Sequence, residues 1–565
     1  MTLSSALQVG RSAIVASQAA LQVAGNNMAN VATEGFHRRS VHLAPVQGEL
    51  VGRNQYIGRG VDIVQIRREV DTALQARFRD AVSDEQAGLV DQRFLTAIET
   101  IQGELTDNDL STQLSDFFNA FSEAANNPSD NAVRSVVIEQ GRSIATRIAD
   151  LQRDYTGVRA EIDRGLGAAV DAADDLLDQI AAVNREITLA EPGVGEAASL
   201  RDQRDLLIDQ LSQYMEVDVI EHESGSVDVL VNSIPVLLAG NSRGVSLDIK
   251  TVDGEVEVRV RVKEDGTHLT VNSGQIGGLL RQRDDSTVGP SITALDDLAT
   301  QLIHQVNKVH AQGQGLIGFE SVKGAYLMND SSANLNSTDA DLPFRTENGS
   351  FFIHLTHQDT GQRTSYRIDV DGDAMSADDL INEINVAVGV PNVTASLTFD
   401  RAFQLDADAG YEMTFSDDTS GVLSALGINT FFTGEGAADI DVNERLRDNP
   451  ALLALGGNHV PGSNDTAVAI AGLQDVPVDE LGGVSLRSFW QNSVNEMAVK
   501  GKAASAAAES ASLVRESLGA QIQSVSGVSL DEESINLLMY QRQFQAAARF
   551  ITVIDEALQI LISLA

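Results

Sequence analysis

Three short stretches carry residue types at spacings associated with catalysis or ligand binding. Gly240-Asn241-Ser242-Arg243-Gly244 has the spacing of a nucleophile elbow, where a strand-to-helix turn exposes a serine to a base. Both flanks here are strand-like, so the sequence predicts a hairpin turn instead. Gly313-Gln314-Gly315-Leu316-Ile317-Gly318 has dinucleotide-loop spacing, but it follows a helix and precedes none, so no helix N-terminus faces a phosphate and a flexible loop is expected. Asp369, Asp371 and Asp373 surround Gly372 as in a calcium loop. The twelfth position, which should supply a bidentate carboxylate, is Leu380, and the expectation is a solvated turn.

The nine histidines add no constellation. His304 and His310 stand six apart on one helix and point to different faces, and His354 and His357, three apart in a strand-like segment, do the same. There is no His-Glu-x-x-His motif and no cysteine, which leaves no thiol nucleophile, disulfide or cysteine metal site. No catalytic, cofactor-binding or metal residues are therefore assigned, and the reading is of a protein that is not an enzyme and carries no cofactor.

The chain would have to hold such residues on elements of a particular kind. Leu3, Leu7, Gly10, Ile14, Ser17, Leu21, Ala24, Met28 and Val31 alternate spacings of four and three, a heptad seam. Leu537, Tyr540, Phe544, Ala547, Ile551, Ile554, Leu558, Leu561 and Ala565 repeat it at the other end. A seam needs a facing partner, and the obvious one is the other terminus. Such helices cannot bury their apolar stripes alone, so both termini are expected to be disordered in an isolated monomer and to order on assembly.

Between the seams the periodicity changes. Residues 67–216 read as long helices broken at Asn126-Asn127-Pro128-Ser129-Asp130 and near Pro192-Gly193. Strand period follows, with Val256, Val258, Val260 and Val262 alternating with charged residues after an Asp253-Gly254 turn. Helix returns from Gly274 to His310. A second β-rich stretch, about 351–415, includes a turn near Asp359–Gln362 and a helix capped by Ser376 with Asp379.

The expected fold class is α+β, elongated and multi-domain, with long coiled-coil-like terminal α-helices, a helical domain and inserted β-rich outer domains. Residues 1–66 and 526–565 are assigned to terminal helical assembly segments, and 67–216, 274–328 and 485–525 to a helical rod-like domain. Residues 217–273 form a β-rich segment and 329–484 an outer β-rich insertion. The 565 residues carry a net charge of −41, and nucleic-acid binding is improbable in such a field. Residues 1–66 carry +2 and residues 485–565 carry −2, so the whole of the negative charge lies between them. Nearly neutral ends suit segments covered by neighbours, because burying unpaired charge is expensive. No apolar run reaches the length of a membrane span, and the first thirty residues lack the pattern of a cleaved signal.

Asn26-Asn27-Met28-Ala29-Asn30-Val31-Ala32-Thr33-Glu34-Gly35-Phe36, closing the first seam, resembles the asparagine-rich signature of bacterial flagellar axial proteins, the rod, hook and hook-associated proteins. In this sequence Asn26, Asn27, Asn30, Thr33, Gly35 and Phe36 carry it. Ser526 to Glu533, running into Asn536, Tyr540-Gln541 and Phe544-Gln545-Ala546, resembles the C-terminal signature of the same family. Arg38-Arg39, Gly58 to Asp62 with Ile66-Arg67-Arg68, Leu200 to Asp205, and Gly277 to Leu280 with Asn307, His310 and Gly313 resemble landmarks of its hook-associated type. The chain departs from the pattern at Glu34, Phe36 and Arg39, where proline, tyrosine and glutamine are usual.

The resemblance implies a structural adaptor of the extracellular flagellum at the hook–filament junction, exported through the flagellar secretion system after a cytoplasmic stage. It implies a ring-like homo-oligomer held by the terminal seams, with hook protein and hook-associated protein 3 as neighbours. A cytoplasmic export chaperone would engage the C-terminal helices, and neither nucleic acid nor membrane is an expected partner. The alternatives are another axial protein, such as the hook protein or hook-associated protein 3, an extracellular hydrolase using Ser242, or a coiled-coil adhesin.

Overall fold

The computed structural model describes all residues except 1–2, 53–54, 105–108, 194, 253–254, 390–391, 458–459, 461 and 565. The Asp253-Gly254 turn and Ala565 of the C-terminal seam lie outside the described residues, as do the side chains of Leu3 and Leu561. The helices are α1 (Leu3–Ala29), α2 (Thr72–Gln102), α3 (Leu110–Asn126), α4 (Asn131–Ala190), α5 (Ala198–Leu211), α6 (Gly274–Leu280), α7 (Val288–His310), α8 (Ala377–Ala387), α9 (Val422–Ala425), α10 (Glu444–Asp448), α11 (Asp465–Gly472), α12 (Leu486–Ser526) and α13 (Leu530–Leu564). They fall into two compact units, one of residues 1–93, 161–283 and 502–565, the other of residues 94–160 and 284–501, and α2, α4 and α12 each contribute to both.

In the first unit α1 packs along α13. The segment assigned to terminal helix is helical only to Ala29. Strands Arg39–Pro45 and Val61–Arg68 then form an antiparallel pair, and Glu49–Gly52 pairs with Gln55–Ile57. Val61-Asp62-Ile63 alternates as a strand does, a short signal that the neighbouring heptad seam overshadows. Further on, Asp218–Glu221, Val227–Val231, Ile234–Leu238 and Asn241–Ser242 make a four-stranded sheet. Val245–Val252, Glu255–Val262 and His268–Leu269 make a three-stranded one, with Val258, Val260 and Val262 buried. Ser242 ends the last strand of the four-stranded sheet, opposite Leu237, with Gly240 and Gly244 at φ of +77° and +66° in the turns on either side, and strand rather than helix follows it, so there is no strand-to-helix elbow.

In the second unit α3 sets Phe117 and Phe121 against Phe431, with ring centroids 5.5 Å apart, and Phe118 stands edge-on to Phe117 at 5.2 Å. The landmark residues serve this core. Asn307 accepts from the backbone N–H of Phe431 and Phe432, and buried His310 meets the Asn429 carbonyl at 2.8 Å and accepts from Ala454 N–H. Burial pushes the His310 pKa down to about 4, so it is a neutral structural imidazole. Arg134, just past the Asn126–Asp130 break, donates to the carbonyls of Pro128 and Leu453. Burial lowers its pKa to about 10.

The outer lobe of this unit has two three-stranded antiparallel sheets. Gly349–His357 lies between Arg363–Val370 and Tyr411–Ser416, and Ala402–Ala407 lies between Ser321–Leu327 and Val393–Leu397. Helix α8, closed by a capping box of Ser376 and Asp379, covers the core with Leu380 and Ile384. Leu380, the residue that fails the calcium pattern, is thus a core residue. The Gly313–Gly318 loop leads to a strand, and Gln314 N–H bonds the Gly456 carbonyl at 2.7 Å.

Candidate assembly face and its junction

Helix α1 meets α13 through small residues. Gly10, Ala16, Ser17, Ala20, Val23, Ala24 and Asn27 are buried, while Ile14, Leu21 and Met28 are half-buried and Leu7 is 39% exposed. The buried stripe therefore takes in the small seam positions Gly10, Ser17 and Ala24, while the large ones, Leu7, Ile14, Leu21 and Met28, stand to one side of it. The cause is the size of the facing residues. A Cβ at Gly10 would stand 2.6 Å from Cγ1 of Ile551, so α1 approaches only where its side chains are small. On α13 the described seam positions all lose surface to the packing: Ala547 and Ile554 are buried, and Leu537, Tyr540, Phe544, Ile551 and Leu558 are half-buried.

A second stripe of α13 escaped the sequence reading. Ile535, Met539, Phe550, Val553 and Ile560 are exposed, with Ile535, Val553 and Ile560 at 66%, 61% and 60%. Their spacings of four, three and seven, with Ala546 between, form another heptad register on the same helix. Counting apolar residues in every register, and not only the best one, would have found it. Contiguous exposed apolar surface on a helix marks an interaction site.

The asparagine signature joins this helix pair to the rest of its unit. Asn27 is buried and grips Arg39 at both backbone groups, donating to its carbonyl (2.9 Å) and accepting its N–H (3.1 Å). Asn30 bonds back to the Asn26 carbonyl and accepts from Thr33 Oγ1, which makes the turn that ends α1. Gly35 has φ of +72° and lies against Leu206 of α5, and the Arg39 guanidinium lies 5.0 Å from the Phe36 ring centroid. The segment uses its next three residues in different directions. His37 takes Gln75 Nε2 at 2.8 Å and meets Asp202 Oδ1 at 2.8 Å, Arg38 donates to Glu533 of α13 at 2.9 Å, and Arg39 donates to Asp202 and Ser199 of α5.

Behind it lies a buried ion network. Arg68 donates to Glu196 (2.7 Å), Asp202 (3.0 Å) and Asp205 (2.7 Å), and Arg79 donates to Asp209 (2.6 Å). Burial works against the Arg68 charge, but Asp205 with Glu196 and Asp202 outweighs it and the pKa rises. Burial likewise opposes the Asp205 carboxylate, yet Arg68, Arg204 and Arg79 hold its pKa below the usual range. Asp209 goes the other way, raised by burial that Arg79 only partly offsets. Three separate landmarks of the sequence, Arg38-Arg39, Arg67-Arg68 and Leu200–Asp205, meet in this one network. Such pairs set a unique arrangement more than they add net stability.

Comparison with known proteins follows the same division. Residues 95–324 match the family described as the flagellar hook-associated protein FlgK helical domain, and residues 521–564 that described as the flagellar basal body rod FlgEFG protein C-terminal region. Over its whole length the chain is 24% identical to flagellar hook-associated protein 1 of Escherichia coli strain K12, covering all of that protein. Over 98% of its length it is 24% identical to the protein of the same name from Bacillus subtilis strain 168, covering 96% of it. The solved structure of the flagellar hook junction protein FlgK from Burkholderia pseudomallei aligns over 80% of this chain and all of that one, at 16% identity and a TM-score of 0.51, which supports the α+β fold. With a helical-domain match in the middle, an axial-protein match at the C-terminus and full-length likeness to hook-associated protein 1, the chain is similar along its whole length to flagellar hook-associated proteins.

Proposed function

We propose that this protein is a structural adaptor of the extracellular flagellum, joining hook to filament. One observation carries the reading: α13 is apolar on two faces, and α1 covers only one of them. The uncovered face is what a neighbouring copy in a ring would bury. On this reading the seam residues hold the helix pair, the second stripe holds the ring, and the signature segment fixes the pair's direction through Arg38 and Arg39. Hook protein and hook-associated protein 3 are the proposed neighbours, and an export chaperone covers the same apolar face of α13 before secretion. A role as a structural protein, with no reaction catalysed, fits the family.

A strain lacking the gene tests this. Hooks should assemble, no filament should be seated on them, and flagellin should accumulate in the medium. Normal filaments on the mutant would overturn the proposal.

A further inference from the structure

The central strand Gly349–His357 of the outer lobe turns Phe351, Ile353 and Leu355 into the core, so Phe352, His354 and Thr356 lie on the opposite face. His354 is nevertheless only 8% exposed. Its ring stacks on that of Phe352, with centroids 6.1 Å apart, and stands between two serines. Nδ1 is 2.7 Å from Ser365 Oγ on the edge strand Arg363–Val370, and Nε2 is 2.8 Å from Ser416 Oγ on the other flanking strand.

The directions of these bonds are fixed from one end. Ser416 Oγ donates its single hydrogen to the Asp417 carboxylate at 2.7 Å, so towards His354 it can only accept. Nε2 therefore carries the ring proton, Nδ1 is the bare nitrogen, and the Ser365 hydroxyl donates to it. Burial, and after it the Arg363 charge, lower the His354 pKa against the pull of Asp417, which keeps the ring neutral and able to take a proton. Asp417 stands at φ +50°, a left-handed conformation that few non-glycine residues adopt.

The strand register opens the other end of the relay. His357 N–H bonds the Gln362 carbonyl at 2.9 Å, and the pairing runs without a shift to Gly349 and Val370. Hydrogen-bonded pairs alternate with open ones, so His354 and Ser365, three pairs further on, form an open pair with their side chains close together. Ser365 is exposed, and its N–H points away from the sheet at the free edge. Arg363, two residues back on the same face, donates to Thr356 Oγ1 at 3.3 Å and pairs with no carboxylate among the described residues.

We propose that Ser365 is an activated nucleophile that accepts the acyl group of a reactive carboxylic ester. Its Oγ forms a bond to the acyl carbon, the bond from that carbon to the ester oxygen breaks, and the hydroxyl proton passes to His354 Nδ1 and from there to the departing oxygen. The Ser365 N–H and the Arg363 guanidinium are the donors available to the carbonyl oxygen as it becomes negative. His354 is the base, and Ser416 and Asp417 are positioning residues that hold its tautomer. The product is an O-acylserine on the outer lobe, a modification that goes beyond the adaptor role and does not depend on it.

Labelling of the full chain by an alkyl fluorophosphonate, followed by peptide mass spectrometry, tests the site. The probe adds to a serine Oγ with loss of fluoride. Ser332 is the internal control, since it is exposed and its hydroxyl donates to the Asp330 carboxylate at 2.7 Å instead of to an imidazole. Ser365 should label about 10²- to 10⁴-fold faster than Ser332, the span that a general base supplies. Ser365→Ala should abolish that label, and His354→Gln should bring the rate down to that of Ser332. Ser416→Ala should slow it about tenfold at unchanged circular dichroism, the worth of one hydrogen bond, and Ser416→Thr should restore it. His354→Gln decides if circular dichroism shows it folded, and Ser416→Ala decides if it is not. Equal rates at Ser365 and Ser332, or a Ser365 rate unchanged in the deciding variant, would overturn the proposal.

Discussion

In the outer lobe Ile353, Ile368, Leu380, Ile384 and Val393 are wholly buried, each by residues of the same lobe. Along α13 comparable side chains fare differently: Leu537, Phe544, Ile551 and Leu558 keep part of their surface in water, and Ile535, Val553 and Ile560 keep most of theirs. Residue type does not explain the difference, because both regions use Leu, Ile, Val and Phe. The sheets and α8 enclose a core among themselves, whereas α13 has a single small-faced helix beside it. Each buried Leu or Ile returns roughly 1.5–3 kcal/mol. The lobe has collected that energy within one chain, and the helix pair still has most of it to gain from a neighbour.

The largest effect is expected between these extremes, in the buried ion network. Arg68→Met would leave Asp202 and Asp205 without their shared guanidinium, and removing one partner of a buried pair costs about 3–5 kcal/mol. Urea unfolding followed by circular dichroism should show that loss in the first unit. A loss below about 1 kcal/mol would mean that the network is surface-like, with solvent already replacing the pairs.

Adjacent residues of α13 sharpen the comparison next. Ile554 is 6% exposed and faces α1, whereas Val553 faces outward. Ile554→Asp buries a charge at several kcal/mol and should part the two helices, read as loss of whatever amide protection the parent monomer keeps over Ser4–Asn30 and Asn536–Leu558. Ile551→Asp and Leu558→Asp should act in the same direction, more weakly because both are half-exposed, and the β lobes should stay folded. Val553→Asp should leave monomer exchange and stability within about 0.5 kcal/mol of the parent while abolishing ring assembly and motility. Normal motility with Val553→Asp would break the assignment of the outer stripe to assembly. Strong protection of both termini in the parent monomer would show that the pair is already complete.

What the sequence made legible follows from what each pattern depends on. The seam of α13 appears at its own spacing because large residues dictate it. On α1 only the small seam positions are fully buried, because their burial is decided by Ile551 and its neighbours, which are more than five hundred residues away. The strands at 39–68 were read as part of a helical terminal segment because they are short and follow a strong heptad. The ion network was legible only as isolated landmarks: Arg39, Arg68 and Asp202 are far apart in the chain, and charge composition does not reveal which pairs become buried. The same holds for Asp373, whose hydrogen-bond partners Asn334, Asn336 and Asn348 come from a different segment.

Acid should expose the network with smaller changes. Asp205 has a lowered pKa, so its stabilising contribution is complete above about pH 4, the ordinary carboxylate range, and is lost as pH falls through the folded-state value. Asp209 has a raised pKa and takes its proton earlier, which favours the folded state as pH falls towards 4. Stability of the first unit should therefore hold or rise slightly on mild acidification and then drop. Asp205→Asn should flatten the drop, and Asp209→Asn should remove the earlier rise. A pH profile unchanged by Asp205→Asn would place the acid sensitivity elsewhere.

The smallest expected difference separates two neighbours at the start of α13. Arg38 reaches both Glu532 (3.2 Å) and Glu533 (2.9 Å), but the Glu532 side chain is 62% exposed and that of Glu533 only 3%. Both lie in the first turn, where the helix dipole favours a carboxylate, so the dipole does not distinguish them. Solvent does. The outer pair is screened and pays side-chain entropy, so Glu532→Gln should cost at most about 0.5 kcal/mol and nothing measurable at high salt. Glu533→Gln keeps an acceptor for Arg38 but withdraws charge from a contact shielded from water, and about 1.5–3 kcal/mol is expected for a hydrogen bond to a charged group there. A double-mutant cycle with Arg38→Gln should return most of the Glu533 cost as coupling and almost none of the Glu532 cost. Equal coupling for the two would mean that burial does not govern this joint, and that the signature segment positions the helix pair through its backbone alone, by the bond from Arg38 N–H to the Ser526 carbonyl.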